Sequence, residues 1–196
     1  MRRLAHGAAA LTAALFISGI GHAADVEAGK EKAKVCIGCH GGDGNSTNKT
    51  IPSLAGQPRQ LIATQLFQFR QGNRKDPQMS PIAANLSNAD MNDLAAYFAT
   101  LKATPPSHRT SADNAKLGAE LAKKYQCTQC HGPSLLGQQH IPRLAGQQPD
   151  YLRTQLKGFK ANTRADMDGN MTSAAQALSD NDIDVLVDYL AGLTAE

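Results

Sequence analysis

An all-α fold of two tandem helical domains is what this sequence predicts, on three observations. From residue 24 onward the chain is written twice, at a near-constant offset of 90 to 92 residues. Within each copy apolar residues recur at helical spacing, with helix-start signals in front of them. No stretch shows the alternation or the short β-branched run that marks a strand.

The repeat is carried by matched segments. Cys36-Ile37-Gly38-Cys39-His40 returns as Cys127-Thr128-Gln129-Cys130-His131, 91 residues on. Ile51-Pro52-Ser53-Leu54-Ala55-Gly56-Gln57 returns as Ile141-Pro142-Arg143-Leu144-Ala145-Gly146-Gln147, at an offset of 90. Gln65, Leu66, Phe69 and Arg74 match Gln155, Leu156, Phe159 and Arg164. Met79, Ser87 and Tyr97 match Met171, Ser179 and Tyr189 at an offset of 92. The small changes in offset place insertions in loops.

The elements follow in chain order. Residues 1–23 read as a signal peptide, with Arg2 and Arg3, an apolar stretch from Ala8 to Ile20, and small Gly21 and Ala23 before a cleavage point. The apolar stretch is too short for the ~20 residues that span a bilayer. Residues 24–101 form the first domain. A helix over about Val26–Val35 runs into the first cysteine pair. A second helix follows Pro58, buries Leu61, Ile62, Leu66 and Phe69, and stops near Gly72. A third opens at a capping box, Ser87 with Asp90, and puts Leu94, Phe98 and Leu101 on one face. Residues 102–112, with Pro105-Pro106, read as a stiffened linker. Residues 113–196 repeat the plan: a helix over about Asn114–Tyr125, one with Leu152, Leu156 and Phe159, and one opened by Ser179 and Asp182.

Composition narrows the function. Of 196 residues 41% are hydrophobic and 5% aromatic, a thin stock for two enzyme-sized cores. The net charge is +3, and cleavage after Ala23 leaves 18 basic and 17 acidic residues, far from an electrostatic nucleic-acid binder. Four cysteines are too few for a disulfide-dense scaffold.

The cysteines instead form C-x-x-C-H twice, the attachment signature of c-type haem. Cys36 and Cys39, like Cys127 and Cys130, supply two sulfurs for two thioethers. His40 and His131 then supply an imidazole for the iron. The reading is thus two covalently bound c-type haems, one per domain. The alternatives are a thioredoxin-type redox pair, which lacks its βαβ context, a four-thiolate zinc site, whose halves lie 91 residues apart, and plain disulfides.

The sixth ligand is read from the repeat. Only Met79 and Met171 are matched, each eight residues before its Ser87 or Ser179. Met167, four residues before Met171, is the rival in the second unit, and Met91 is read as packing. His/Met ligation suits electron transfer. Pro52 and Pro142 are read as carbonyl acceptors for the proximal imidazole N–H, with simple loop prolines as the alternative. Arg74 and Arg164 are read as propionate partners or solvated surface residues. His108, in the linker, and His140 are read as solvated.

These motifs resemble the class I cytochrome c domain: C-I-G-C-H-G-x-D-G-N-S, I-P-S-L-A-G-Q-P, Q-L-x-x-F-R-x-G-x-R, M-S-P-I-A-A-N-L-S and A-A-Y-F. Two such domains behind a signal peptide resemble the di-haem cytochromes c of the c-four type. The resemblance implies helical domains wrapped around covalent haems and related by pseudo-two-fold symmetry. It also implies a periplasmic carrier of single electrons between redox protein partners, towards a membrane-bound haem–copper terminal oxidase, with peripheral membrane association. No nucleic acid and no small-molecule substrate is expected, and the chain is read as a carrier rather than an enzyme. The alternative is a di-haem peroxidase or small-substrate dehydrogenase with one displaceable ligand. The second unit departs from the pattern, since His131-Gly132-Pro133-Ser134 lacks the G-x-D-G-N-S loop and no Ser-Pro follows Met171. Lys30, Lys32, Lys34, Lys49 and Lys75 are candidates for docking an acidic partner, against a solvated mixed-charge surface.

Overall fold

The computed structural model describes residues 23–195, so the signal-peptide reading falls, but for Ala23, outside the described residues. Among the described residues ten α-helices carry the chain, and the only β-type pairing there is the isolated bridge Gln138–Ile141. The first unit contains α1 (Val26–Lys32), α2 (Ile37–His40), α3 (Arg59–Gln71), α4 (Met79–Ala83) and α5 (Asn88–Thr100). The second repeats it with α6 (Ala112–Lys124), α7 (Cys127–His131), α8 (Pro149–Lys160), α9 (Asn170–Gln176) and α10 (Asp180–Gly192).

Local chemistry sets the ends. The Asp25 carboxylate accepts from Glu27 N and Ala28 N and starts α1, which tightens into a 3-10 turn over Ala33–Val35. The helix read over 26–35 is therefore two pieces, and the tighter turn delivers Cys36. Gly72, in the left-handed region, ends α3. Both capping boxes form, Ser87 with Asp90 and Ser179 with Asp182. The short helices α4 and α9 escaped the sequence reading, because one or two turns carry too little periodicity.

Packing is the same in both units. In the first, α5 lies against α1 and α3; in the second, α10 lies against α6 and α8. The α1–α5 and α6–α10 crossings demand glycine. A Cβ on Gly29 would enter the Asp93 carbonyl, and one on Gly118 would enter the Tyr189 side chain. The cores are small: Ile62, Leu66, Met91, Leu94 and Phe98 in one, Leu121, Leu152, Ile183, Leu186 and Leu190 in the other.

The segment between α5 and α6 is pinned at both ends. The Asn45 side chain bonds Lys102 O and Thr104 N on one side. On the other, His108 Nε2 lies 2.6 Å from Asp188 Oδ1, and Thr110 Oγ1 donates to Asp188 O. His108 is therefore not the solvated side chain expected of a linker. Asp188 draws it onto α10.

Candidate cofactor sites

Each cysteine motif forms one helical turn. His40 N donates to Cys36 O at 3.0 Å, which puts the two sulfurs three positions apart on one side of the turn. All four thiols are unbridged, Cys36 and Cys127 half-buried, Cys39 and Cys130 exposed. Burial pushes the Cys36 and Cys127 thiols up. Among the described residues no three His, Cys, Asp or Glu side chains converge on a metal-binding point. The four thiols therefore do not assemble the zinc site left open by composition.

The histidines closing these turns are buried, His40 6% exposed and His131 4%. His40 Nδ1 lies 2.8 Å from the Pro52 carbonyl, and His131 Nδ1 lies 2.8 Å from the Pro142 carbonyl. A carbonyl only accepts, so Nδ1 carries the proton and Nε2 keeps its lone pair. Burial lowers both imidazole pKa values, against the raising effect of the proline bond, and favours the neutral ring a metal ligand needs. The acceptor role read for both prolines is present in the geometry.

The loops that carry these carbonyls are alike despite their sequences. In the first unit Gly44 O accepts from Leu54 N and Ala55 N; in the second, Leu135 O accepts from Leu144 N and Ala145 N. Gly44 has φ 76° and Leu135 has φ 58°. A leucine in the left-handed region costs roughly 1–2 kcal/mol, and burying its side chain, 2% exposed, offsets that. The carbonyl at this position thus takes the same two backbone N–H groups in both units, although the second lacks the G-x-D-G-N-S loop.

The matched methionines stand in the first turns of α4 and α9 and are half-buried, whereas Met167 is 72% exposed. An aspartate missed by the sequence reading holds each one. Asp76 Oδ1 accepts from Met79 N at 2.8 Å, and Asp166 Oδ2 accepts from Met171 N at 2.8 Å. Asp166 Oδ1 also accepts from Thr172 N and Oγ1. The signal was present: Asp76 and Asp166 match at offset 90, the methionines at 92, so a two-residue insertion lies between aspartate and methionine, in the stretch that includes Met167.

Arg74 and Arg164 are not surface residues. Arg74 donates to Gln65 Oε1 at 2.5 Å, and across the domain boundary to Tyr151 Oη at 3.1 Å and Gln155 Oε1 at 3.0 Å. Arg164 donates to Gln155, and back to Gln65 Oε1 at 3.4 Å. Their guanidinium groups lie over Phe69 and Phe159. Burial first, then Arg74, pushes Arg164 down to about 10. Neither arginine hydrogen-bonds a carboxylate among the described residues, and Arg164 Nε is buried without an acceptor. Arg143 is 3% exposed, with Nη1 on Ala145 O, Nη2 3.0 Å from Ala55 O and an orphan Nε. Burial pushes it down to about 10. Paired thiols, an imidazole with Nε2 free, a half-buried methionine in the same unit and guanidinium groups lacking anions together fit a haem with its two carboxylates.

The lysines read as docking candidates divide. Lys32 binds Asp93 at 2.6 Å and Asp90 at 2.9 Å, Lys34 binds Glu31 and Lys30 approaches Glu27. Lys49 and Lys75 are exposed, as is His140.

The cytochrome c family profile matches residues 26–102 and 115–194. Cytochrome c4 of Pseudomonas aeruginosa is 37% identical over 190 residues, 91% of this chain and 94% of that one. A thiosulfate dehydrogenase electron acceptor of Stutzerimonas stutzeri is 34% identical, over 82% of this chain and 80% of that one. The crystal structure of reduced cytochrome c4 from Pseudomonas stutzeri superposes with a TM-score of 0.81 at 34% identity, covering 88% of this chain and 100% of that one. The chain belongs to the cytochrome c family, as a tandem di-haem electron-transfer protein with a covalent c-type haem in each domain, similar to the cytochromes c4.

Proposed function

We propose that the chain is exported by its signal peptide, residues 1–23, and carries single electrons in the periplasm from a donor protein to a membrane-bound haem–copper terminal oxidase. Cys36 and Cys39 anchor the first haem and Cys127 and Cys130 the second. His40 with Met79, and His131 with Met171, would supply the iron ligands of the two haems. Each haem, when bound, supplies a one-electron iron couple. The observation that carries this reading is the equivalence of the two sites. Each has a buried histidine held by a proline carbonyl and a methionine held by an aspartate. Two such sets leave no open iron position for a substrate, which favours a carrier over the di-haem peroxidase or dehydrogenase. The domains run over 24–101 and 113–196, joined by 102–112. No described helix is long and apolar enough to cross a membrane, so membrane association is peripheral in this reading.

The relative named as an electron acceptor of thiosulfate dehydrogenase favours a second donor–acceptor pair, in which this chain is reduced by such an enzyme. Oxygen uptake by oxidase-containing membranes, with the reduced protein as sole donor, separates the two: uptake supports the oxidase. Reduction by a thiosulfate dehydrogenase without oxidase turnover supports the other. For the ligands, Met171→Ala abolishes the Met–iron charge-transfer absorption of the second haem while Met167→Ala leaves it intact. The opposite pattern assigns Met167.

A further inference from the structure

The two proximal loops bind each other across the domain boundary. Gln147 Oε1 accepts from Ser53 N at 2.8 Å and Gln147 Nε2 donates to Ser53 O at 3.0 Å. Reciprocally, Gln57 Oε1 accepts from Arg143 N at 2.9 Å and Gln57 Nε2 donates to Arg143 O at 3.1 Å. Both glutamines are 4% exposed. Ser53 N–H and Pro52 C=O belong to one peptide group, and so do Arg143 N–H and Pro142 C=O. The peptide whose oxygen accepts from His40 Nδ1 therefore gives its N–H to a glutamine of the second domain. The peptide that accepts from His131 Nδ1 gives its N–H to a glutamine of the first.

Hydrogen bonds in such a chain polarise one another, strengthening each by roughly 10–30% in a dry interior. An acceptor on the N–H makes the C=O a better acceptor, and a stronger bond at Nδ1 makes Nε2 a more basic ligand. A more basic ligand favours ferric iron and lowers the reduction potential. We infer that Gln57 and Gln147 are crossed positioning residues, each tuning the haem of the opposite domain through the proline peptide. This rests on His40 and His131 being the proximal ligands.

The test is spectroelectrochemical titration of the full di-haem protein, with each haem followed by its assigned NMR methyl resonances. Gln147→Met, of similar shape but without an acceptor, raises the potential of the haem at Cys36 and Cys39. The ratio of reduced to oxidised haem there changes roughly threefold at fixed applied potential, and the other haem stays put. Gln57→Met does the same to the haem at Cys127 and Cys130, and carries the test if Gln147→Met fails to fold. Gln147→Glu, which keeps an acceptor for Ser53 N–H, does not raise the first potential. Amide exchange at Ser53 accelerates in Gln147→Met alone. Equal shifts at both haems, a shift in the variant's own domain, or unmoved potentials overturn the inference. Loss of a His-ligated, low-spin spectrum in the unsubstituted protein would instead overturn the axial assignment on which it rests.

Discussion

Asp166 shows how much one side chain supports at these sites. Its carboxylate takes the backbone N–H groups of Met171 and Thr172 and the Thr172 hydroxyl. Burial raises its pKa, but the Met171 amide, the Asp168 side chain and the Thr172 donors more than compensate and hold it below the ordinary value. It spans the insertion that separates Asp166 from Met171, holding the methionine where a shorter loop holds Met79 through Asp76. Asp166→Ala should cost about 1–2 kcal/mol in denaturant unfolding of the second domain. It should also weaken the Met–iron absorption of that haem at temperatures where the parent protein keeps it. The Asp76 and Asp166 signal lay in the sequence as a matched pair, but a carboxylate near a methionine has no meaning until a backbone N–H is seen to face it.

At the scale of elements, the capping box of α5 couples a helix end to a second helix. Asp90 accepts from Ser87 and also binds Lys32 of α1. The Ser87 hydroxyl first, then Lys32, lowers its pKa from 3.8 to about 2. A carboxylate whose folded pKa lies below its unfolded one contributes stability above pH ~4 and loses it as pH falls towards 2. Asp90→Asn should therefore destabilise the protein by a constant amount above pH 4, with the gap to the parent closing between pH 4 and 2 in acid denaturation. Helix existence, caps and buried faces were readable because each rests on residues within one or two turns. The split of the first helix, the two methionine-bearing helices and the glycine crossings at Gly29 and Gly118 were not. The crossings depend on which helix arrives from 64 and 71 residues away, at Asp93 and Tyr189.

Across the whole molecule the two domains share polar groups rather than a core. Arg74, Arg164, Gln65, Gln155 and Tyr151 form one cluster, and the glutamine clamps form two more contacts. Burial raises the Tyr151 phenol pKa, and the two guanidinium groups beside it bring it below its ordinary value. Removing both arginines leaves glutamine carbonyls and a phenol without donors. Arg74→Ala/Arg164→Ala should split a single calorimetric transition of the di-haem protein into two, as the domains lose this cluster and keep, of these contacts, the glutamine clamps alone. The charge difference between the halves, +1 over 24–101 and −2 over 113–196, is small beside this cluster.

Readable from the residues alone are the local and the repeated: two helical domains, two C-x-x-C-H turns, the proline acceptors, and Met79 and Met171 as the matched pair. These are legible because covalent attachment and helix periodicity act over a few residues, and because a duplicated sequence marks the positions that recur. What the repeat's best-matched segment does is visible in the folded arrangement alone. Ile51–Gln57 and Ile141–Gln147 read as loops beside a ligand, yet their glutamines reach across to each other's backbone. Such a contact joins residues 86 to 94 positions apart, and no spacing rule relates them. It exists because two copies of one loop meet reciprocally, so that each glutamine finds a backbone N–H and a C=O of the other copy.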